Sequence, residues 1–148
     1  MEVKLGTPAH GWVDLSIIDG VYFLDDSISD IPFDFVDQIV VGITNLLENG
    51  GEQQAVLGLE PNYYVFTFAE VEGSFSFKLE EELEYPKPVG RSVLHHVKGS
   101  FVEILLPFVN AFQRFYSGPV DEPHWPKCDP NNMAKLIKVS NQYLANLS

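Results

Sequence analysis

Val13, Leu15 and Ile17 alternate with Trp12, Asp14, Ser16 and Ile18, and after Asp19-Gly20 a second apolar run, Val21-Tyr22-Phe23-Leu24, begins. Alternation of period two on either side of Asp-Gly predicts a β-hairpin, with both turn residues at positive φ. Strands are expected near 11–18 and 21–25. The period then lengthens to that of a helix. Phe35, Val36, Ile39, Val40, Ile43, Leu46 and Leu47 form one broad apolar stripe, with Asp34, Asp37, Thr44 and Glu48 opposite. Asp30 is the expected N-cap, Pro32 suits the first turn, and Asp34 complements the positive end of the helix dipole. Asn49-Gly50-Gly51 stops the helix.

Alternation returns in three further strands, over 54–60, 63–71 and 74–83. Pro61-Asn62 closes the first, and Glu72-Gly73 turns between the other two. Tyr64, Phe66 and Phe68 share one face of the second; Phe75, Phe77 and Leu79 share one face of the third. The segment 84–90 (EYPKPVG) breaks the pattern. From 92 to 116, Leu94, Val97, Phe101, Ile104, Leu105, Phe108, Phe112 and Phe115 recur at helical spacing. Pro107 lies within this stretch, where it removes a backbone donor and clashes with the carbonyl of Glu103, so a kink or two shorter helices are expected. A loop follows over 118–130, holding Pro119, Pro123, Pro126 and Pro130. Asp129 caps a last helix that runs to about 147. The order ββ-α-βββ-α-α gives one α+β domain over 1–148, an antiparallel sheet with helices packed on one face.

Charge adds what periodicity lacks. From Leu5 to Phe77 there is no Lys or Arg in 73 residues, yet twelve are Asp or Glu, while from Lys78 onward eight acids balance eight bases. The formal net charge of −12 therefore resides in the first half. With a pI near 4.5, the chain is expected to repel nucleic acid and anionic membrane surfaces and to attract basic proteins. No stretch of about 18 apolar residues is present to span a membrane. A lone cysteine, Cys128, rules out an internal disulfide framework and fits a reducing, cytoplasmic setting.

Asp25, Asp26, Asp30, Asp34 and Asp37 concentrate the acidity around the end of the hairpin and the start of the helix. Three readings compete: a docking surface for a cationic partner, a solvated face neutralised by Lys and Arg of the second half, and a divalent-cation site. The last lacks the ligand spacing and central glycine of an EF-hand loop. His95 and His96 are adjacent, and His124 with Cys128 falls short of a zinc ligand set, so no metal or cofactor is expected. Cys128, beside Lys127 and before a helix, could have a lowered pKa, but a packed thiol is the simpler reading. Glu80, Glu81, Glu82 and Glu84 fit solvation or protection of an edge strand. Trp125, on the proline-stiffened loop, is a candidate interface anchor, or else folds back on the core. The sequence carries no phosphate-binding loop or nucleophile elbow, so no enzyme activity is expected.

The stretch from His10-Gly11-Trp12 through DDSISDIPFDFVDQIVVGITNLLENGG to Glu60-Pro61-Asn62-Tyr63 resembles small acidic immunity proteins of contact-dependent growth inhibition and related polymorphic toxin systems. The resemblance covers roughly the first 65 residues. It implies a bacterial, cytoplasmic antidote that covers the active site of a cognate toxin. Toxins that act on RNA or DNA are commonly basic because their substrate is a polyanion. The expected partner is therefore a basic toxin domain, bound through Asp25, Asp26, Asp30, Asp34, Asp37 and Trp125. The alternative is a small-ligand-binding or metabolic module, with a pocket lined by Tyr64, Phe66, and His95 or His96. A third possibility is a homo-oligomer that buries the polar sheet face; the oligomeric state is not legible in the sequence.

Overall fold

The computed structural model describes residues 1–84, 86, 90–119 and 128–147. The elements run β1 (Glu2–Leu5), β2 (Trp12–Asp19), β3 (Tyr22–Ser29), α1 (Phe35–Asn49), β4 (Gly51–Gly58), β5 (Tyr63–Val71), β6 (Ser74–Leu83), β7 (Gly90–Gly99), α2 (Phe101–Ile104), α3 (Leu106–Ser117) and α4 (Pro130–Asn146). The fold is α+β. Its seven strands pair antiparallel in chain order, β1-β2-β3-β4-β5-β6-β7. Position along the sequence therefore becomes position across the sheet.

One face of the sheet is apolar. Val13, Leu15 and Ile17 of β2, Ala55 and Leu57 of β4, Phe66 and Phe68 of β5, and Phe75, Phe77 and Leu79 of β6 are all buried. α1 packs over β4 and β5, α3 over β1, and α2 over β6 and β7, while α4 packs on α1 and α3. At the centre, the Phe108 ring from α3 lies 5.0 Å from Phe68 and 4.9 Å from Phe77, and Phe66 meets Phe77 edge-on at 5.0 Å. These separations suit edge-to-face and offset ring contacts, which add to the hydrophobic gain of burial.

The sheet is nearly divided. β3 meets β4 at a single register pair, Ser29 opposite Gly58, where the chain leaves β3 for α1. A Cβ on Gly58 would stand 2.9 Å from the Ile31 carbonyl oxygen, so only glycine allows this close approach.

Several sequence expectations need correction. The first hairpin loop is Gly20-Val21, since Asp19 pairs with Tyr22; Gly20 has φ 59°, and Asp19 remains strand. Glycine at the first of two loop positions serves the tight turn without help from Asp19. The N-cap of α1 is Asp34, not Asp30; its carboxylate accepts the Asp37 N–H at 3.2 Å. The expected helix over 92–116 begins as a strand. β7 pairs with β6, with a register shift at Leu79/Glu80, and helix starts only after Ser100. Ser100 and Glu103 form a reciprocal capping box that fixes this start. The break expected at Pro107 does occur, separating α2 from α3 at Leu105. β1 joins the other side of the sheet, its Val3 buried. With β7 outside it, β6 is an interior strand, so its glutamates do not guard an edge.

Phe108→Ala should destabilise the protein by about 3–5 kcal/mol in urea unfolding, because the rings around it cannot close the cavity. Asp34→Ala should lose about 0.5–2 kcal/mol through the lost cap, whereas Asp34→Asn should keep most of that stability. Equal losses in both Asp34 variants would show that the cap bond contributes nothing.

Candidate functional site

The five aspartates fall into separate environments. Asp25 and Asp26 are successive on β3 and face opposite sides of the sheet. Asp25 is exposed on the outer face, opposite Ser16 of β2. Asp26 faces inward, where it accepts the Tyr64 hydroxyl at 2.8 Å as well as the Ser27 N–H. Asp30 follows β3, its backbone N–H bonded to the Gly11 carbonyl and its carboxylate lying over the turn at Gly11. Asp34 and Asp37 do come together, at the N-terminus of α1. They line a cleft of about 390 Å³ with Gln38, Val41, Gly42, Gln53 and Gln54. Asn132 of α4 donates to Asp37 at 3.0 Å, closing one side. Burial raises the pKa of Asp34, opposed by the N–H groups it accepts. Trp125 and His124 lie outside the described residues.

Counterions are scarce around this half of the molecule. Among the described residues, the ion pairs that reach the twelve acids between Leu5 and Phe77 are Lys135–Glu48 at 3.2 Å and His95–Asp19 at 2.8 Å. Other cations are engaged elsewhere: Lys78 with Glu80, Arg91 with Glu82, and Lys4 with Glu2. Sheet order explains the pattern. Lys78, Arg91, His96 and Lys98 belong to β6 and β7, at the opposite edge from β1–β3.

A second polar group sits on the inner face, where the tip of the β2–β3 hairpin reaches across to β7. His95 bonds Asp19 through Nε2, and its ring stacks on Tyr22 with centroids 4.1 Å apart and planes 5° from parallel. Tyr64–Asp26 lies alongside, and the Tyr64 hydroxyl is held well above its ordinary pKa by burial and by Asp26. Burial, and then the charge of Glu81, likewise raise the pKa of Tyr22. Sequence reasoning missed this clamp because it placed His95 on a helix. On the strand, His95 and His96 point to opposite faces, and His96 joins Lys78 and Lys98 on the outer side. The space assigned to a ligand beside Tyr64 and Phe66 is occupied by protein: both are buried, and Phe66 is ringed by Phe68, Phe77 and Phe108.

Cys128 is buried at the N-terminal side of α4. Burial pushes its thiol up to about 11, with Asp37, Asp34 and Asp129 adding to the effect. This is the reverse of the lowered pKa considered from the sequence, since desolvation and three carboxylates disfavour the thiolate. Among the described residues, no group of three or more His, Cys, Asp or Glu could hold a metal ion. Tyr63 donates to Glu82, and its hydroxyl is pushed up to about 12, chiefly by that bond.

Outer-face residues that the sequence did not single out complete the acidic half. Ile18 and Phe23 oppose each other across β2 and β3, next to the loop residue Val21, and all three are exposed. Consecutive apolar residues within the strands, Ile17-Ile18 and Tyr22-Phe23, were the available signal, because one of each pair must face outward.

The thiol of Cys128 should react with iodoacetamide far more slowly in the folded protein than in urea at pH 8. A shift from 9.0 to about 11 alone lowers the thiolate fraction about a hundredfold. The unfolded chain releases this proton first, so stability should fall as pH rises through the same window, and Cys128→Ala should flatten that part of the profile. Equal labelling rates in the two states would contradict the assignment.

No protein-family model, curated protein or solved structure matches this chain.

Proposed function

We propose that this protein is a non-enzymatic binding protein that captures a basic protein domain, acting as a cytoplasmic immunity protein against a toxin, most simply a nuclease. One observation carries the reading: ten of the twelve acids in the lysine- and arginine-free segment have no ion-pair partner among the described residues. Unpaired carboxylates, at Asp14 and Asp25 on the outer face and at Asp34 and Asp37 on the helix side, add to one negative field that attracts and steers a cationic partner. Asp34 and Asp37 line an open cleft of about 390 Å³ that admits a cationic side chain, with Gln38, Gln53 and Gln54 as further polar partners. Asp25 and Asp14 extend the negative field over the outer face of the hairpin. Asp26 contributes through the field alone, since Tyr64 already engages its carboxylate. The resemblance of the first 65 or so residues to immunity proteins supplies the biological setting, and the basic character of nucleic-acid-cleaving enzymes supplies the complementarity.

The test looks in the neighbouring genes for an upstream frame encoding a large secreted protein and pairs the purified protein with that protein's C-terminal domain. Binding should be tight at low salt, and the association rate should fall about tenfold or more between about 20 and 200 mM salt. Asp34→Asn/Asp37→Asn should slow association severalfold and flatten that dependence. Co-expression should restore growth to cells making the domain. Failure to bind any basic domain encoded alongside it would end this reading.

A further inference from the structure

We propose that Ile18, Val21 and Phe23 at the tip of the β2–β3 hairpin form the anchor that enters an apolar, cation-rimmed pocket on the basic partner. This inference rests on the binding role proposed above and names the contact that holds the complex once charge has assembled it.

Ile18, Val21 and Phe23 are 37%, 107% and 60% exposed, on a chain whose other large apolar residues of β2 and β3 are mostly buried. They form one knob. Ile18 and Phe23 are register partners on the outer face, and Val21 stands fully exposed in the adjoining loop. Acids flank it on that face along the hairpin: Glu2 opposite Ile18, then Asp25 opposite Ser16 and Asp14 opposite Ser27 on the next outward rungs. Lys4 shares the face but is held by Glu2 at 2.9 Å. An apolar centre inside a polar rim is the usual anatomy of an interface hot spot.

The knob is also held in position. Directly behind it, on the inner face, Asp19 bonds His95 and Tyr22 stacks on the same ring, tying the hairpin tip to β7. A two-residue turn fixed on its inner side presents its outer side with little conformational freedom left to lose on binding.

Charge decides what covers it. Two copies meeting hairpin to hairpin would bring Glu2, Asp14 and Asp25 of one toward the same group of acids on the other, and the base on this part of the face, Lys4, is already paired with Glu2. A basic protein meets the same acids with attraction. The occupant is therefore a protein domain with a hydrophobic pocket bordered by Lys or Arg.

The experiment uses the full chain and the C-terminal domain of that secreted protein. Ile18→Ser/Phe23→Ser should weaken binding at least tenfold through faster dissociation, leaving the salt dependence of association as in the unaltered protein. Asp34→Asn/Asp37→Asn should do the converse, slowing association. Far-UV circular dichroism and the melting temperature establish that the double serine variant folds. Independently of any variant, amides of 18–23 in the unaltered protein should gain hydrogen-exchange protection in the complex. Unchanged affinity in the folded serine variant, or no added protection at 18–23, overturns the anchor while the binding role stands. No binding by the unaltered protein removes that role and the anchor with it. Concentration-dependent dimers in sedimentation, lost in the serine variant, would assign the knob to a second copy and overturn the proposal.

Discussion

The burial of one aromatic face of the sheet is the constraint on which the rest depends. Phe66, Phe68 and Phe77 present that face, and Phe108 reaches it from α3. Rings of this size leave little slack, so β5, β6 and the helix above them are fixed relative to each other. Phe35 of α1 meets Phe112 of α3 edge-on at 6.2 Å, extending the same packing through the helical layer. The helices thus all serve one side, and the outer face of the sheet remains available for charge.

Antiparallel pairing in strict chain order converts a linear asymmetry into a spatial one. The segment without Lys or Arg runs from the end of β1 through β5 into the start of β6, and the first cation after it, Lys78, stands on β6. A crossover topology would have interleaved these groups. The polar clamp of Asp19, Tyr22 and His95 is an exception with a structural purpose: it spans the weak β3–β4 junction by joining the hairpin tip to β7. In the proposed complex, attraction at a distance and adhesion at contact fall to different residues: Asp34 and Asp37 for field, Ile18, Val21 and Phe23 for apolar area.

Much of the fold was legible. The Gly20 turn, the apolar stripe of α1, the strands β5 and β6 and the Asp129–Pro130 start of α4 each rest on a local rule that tertiary contacts did not oppose. β7 was misread because Leu94, Val97 and Phe101 imitate helical spacing across a boundary; the Ser100–Glu103 box marked that boundary in the sequence. Asp30 resembled a cap as much as Asp34 did, and the choice was made by which residue stands next to the first buried turn at Phe35. Of the candidate site, the acidic composition was readable, but not its division between outward Asp25, inward Asp26 and the paired Asp34 and Asp37.

The sequence by itself determined the strand and helix periods, the α+β class and the excess of carboxylates in the first half, because these are properties of residue type and local spacing. Only the tertiary structure decided which carboxylates face solvent, that His95 closes on Asp19 and Tyr22, and that Ile18 and Phe23 share an exposed rung. Those outcomes depend on strand register, in which one step moves a side chain to the other face, and on contacts between residues as far apart as 19 and 95.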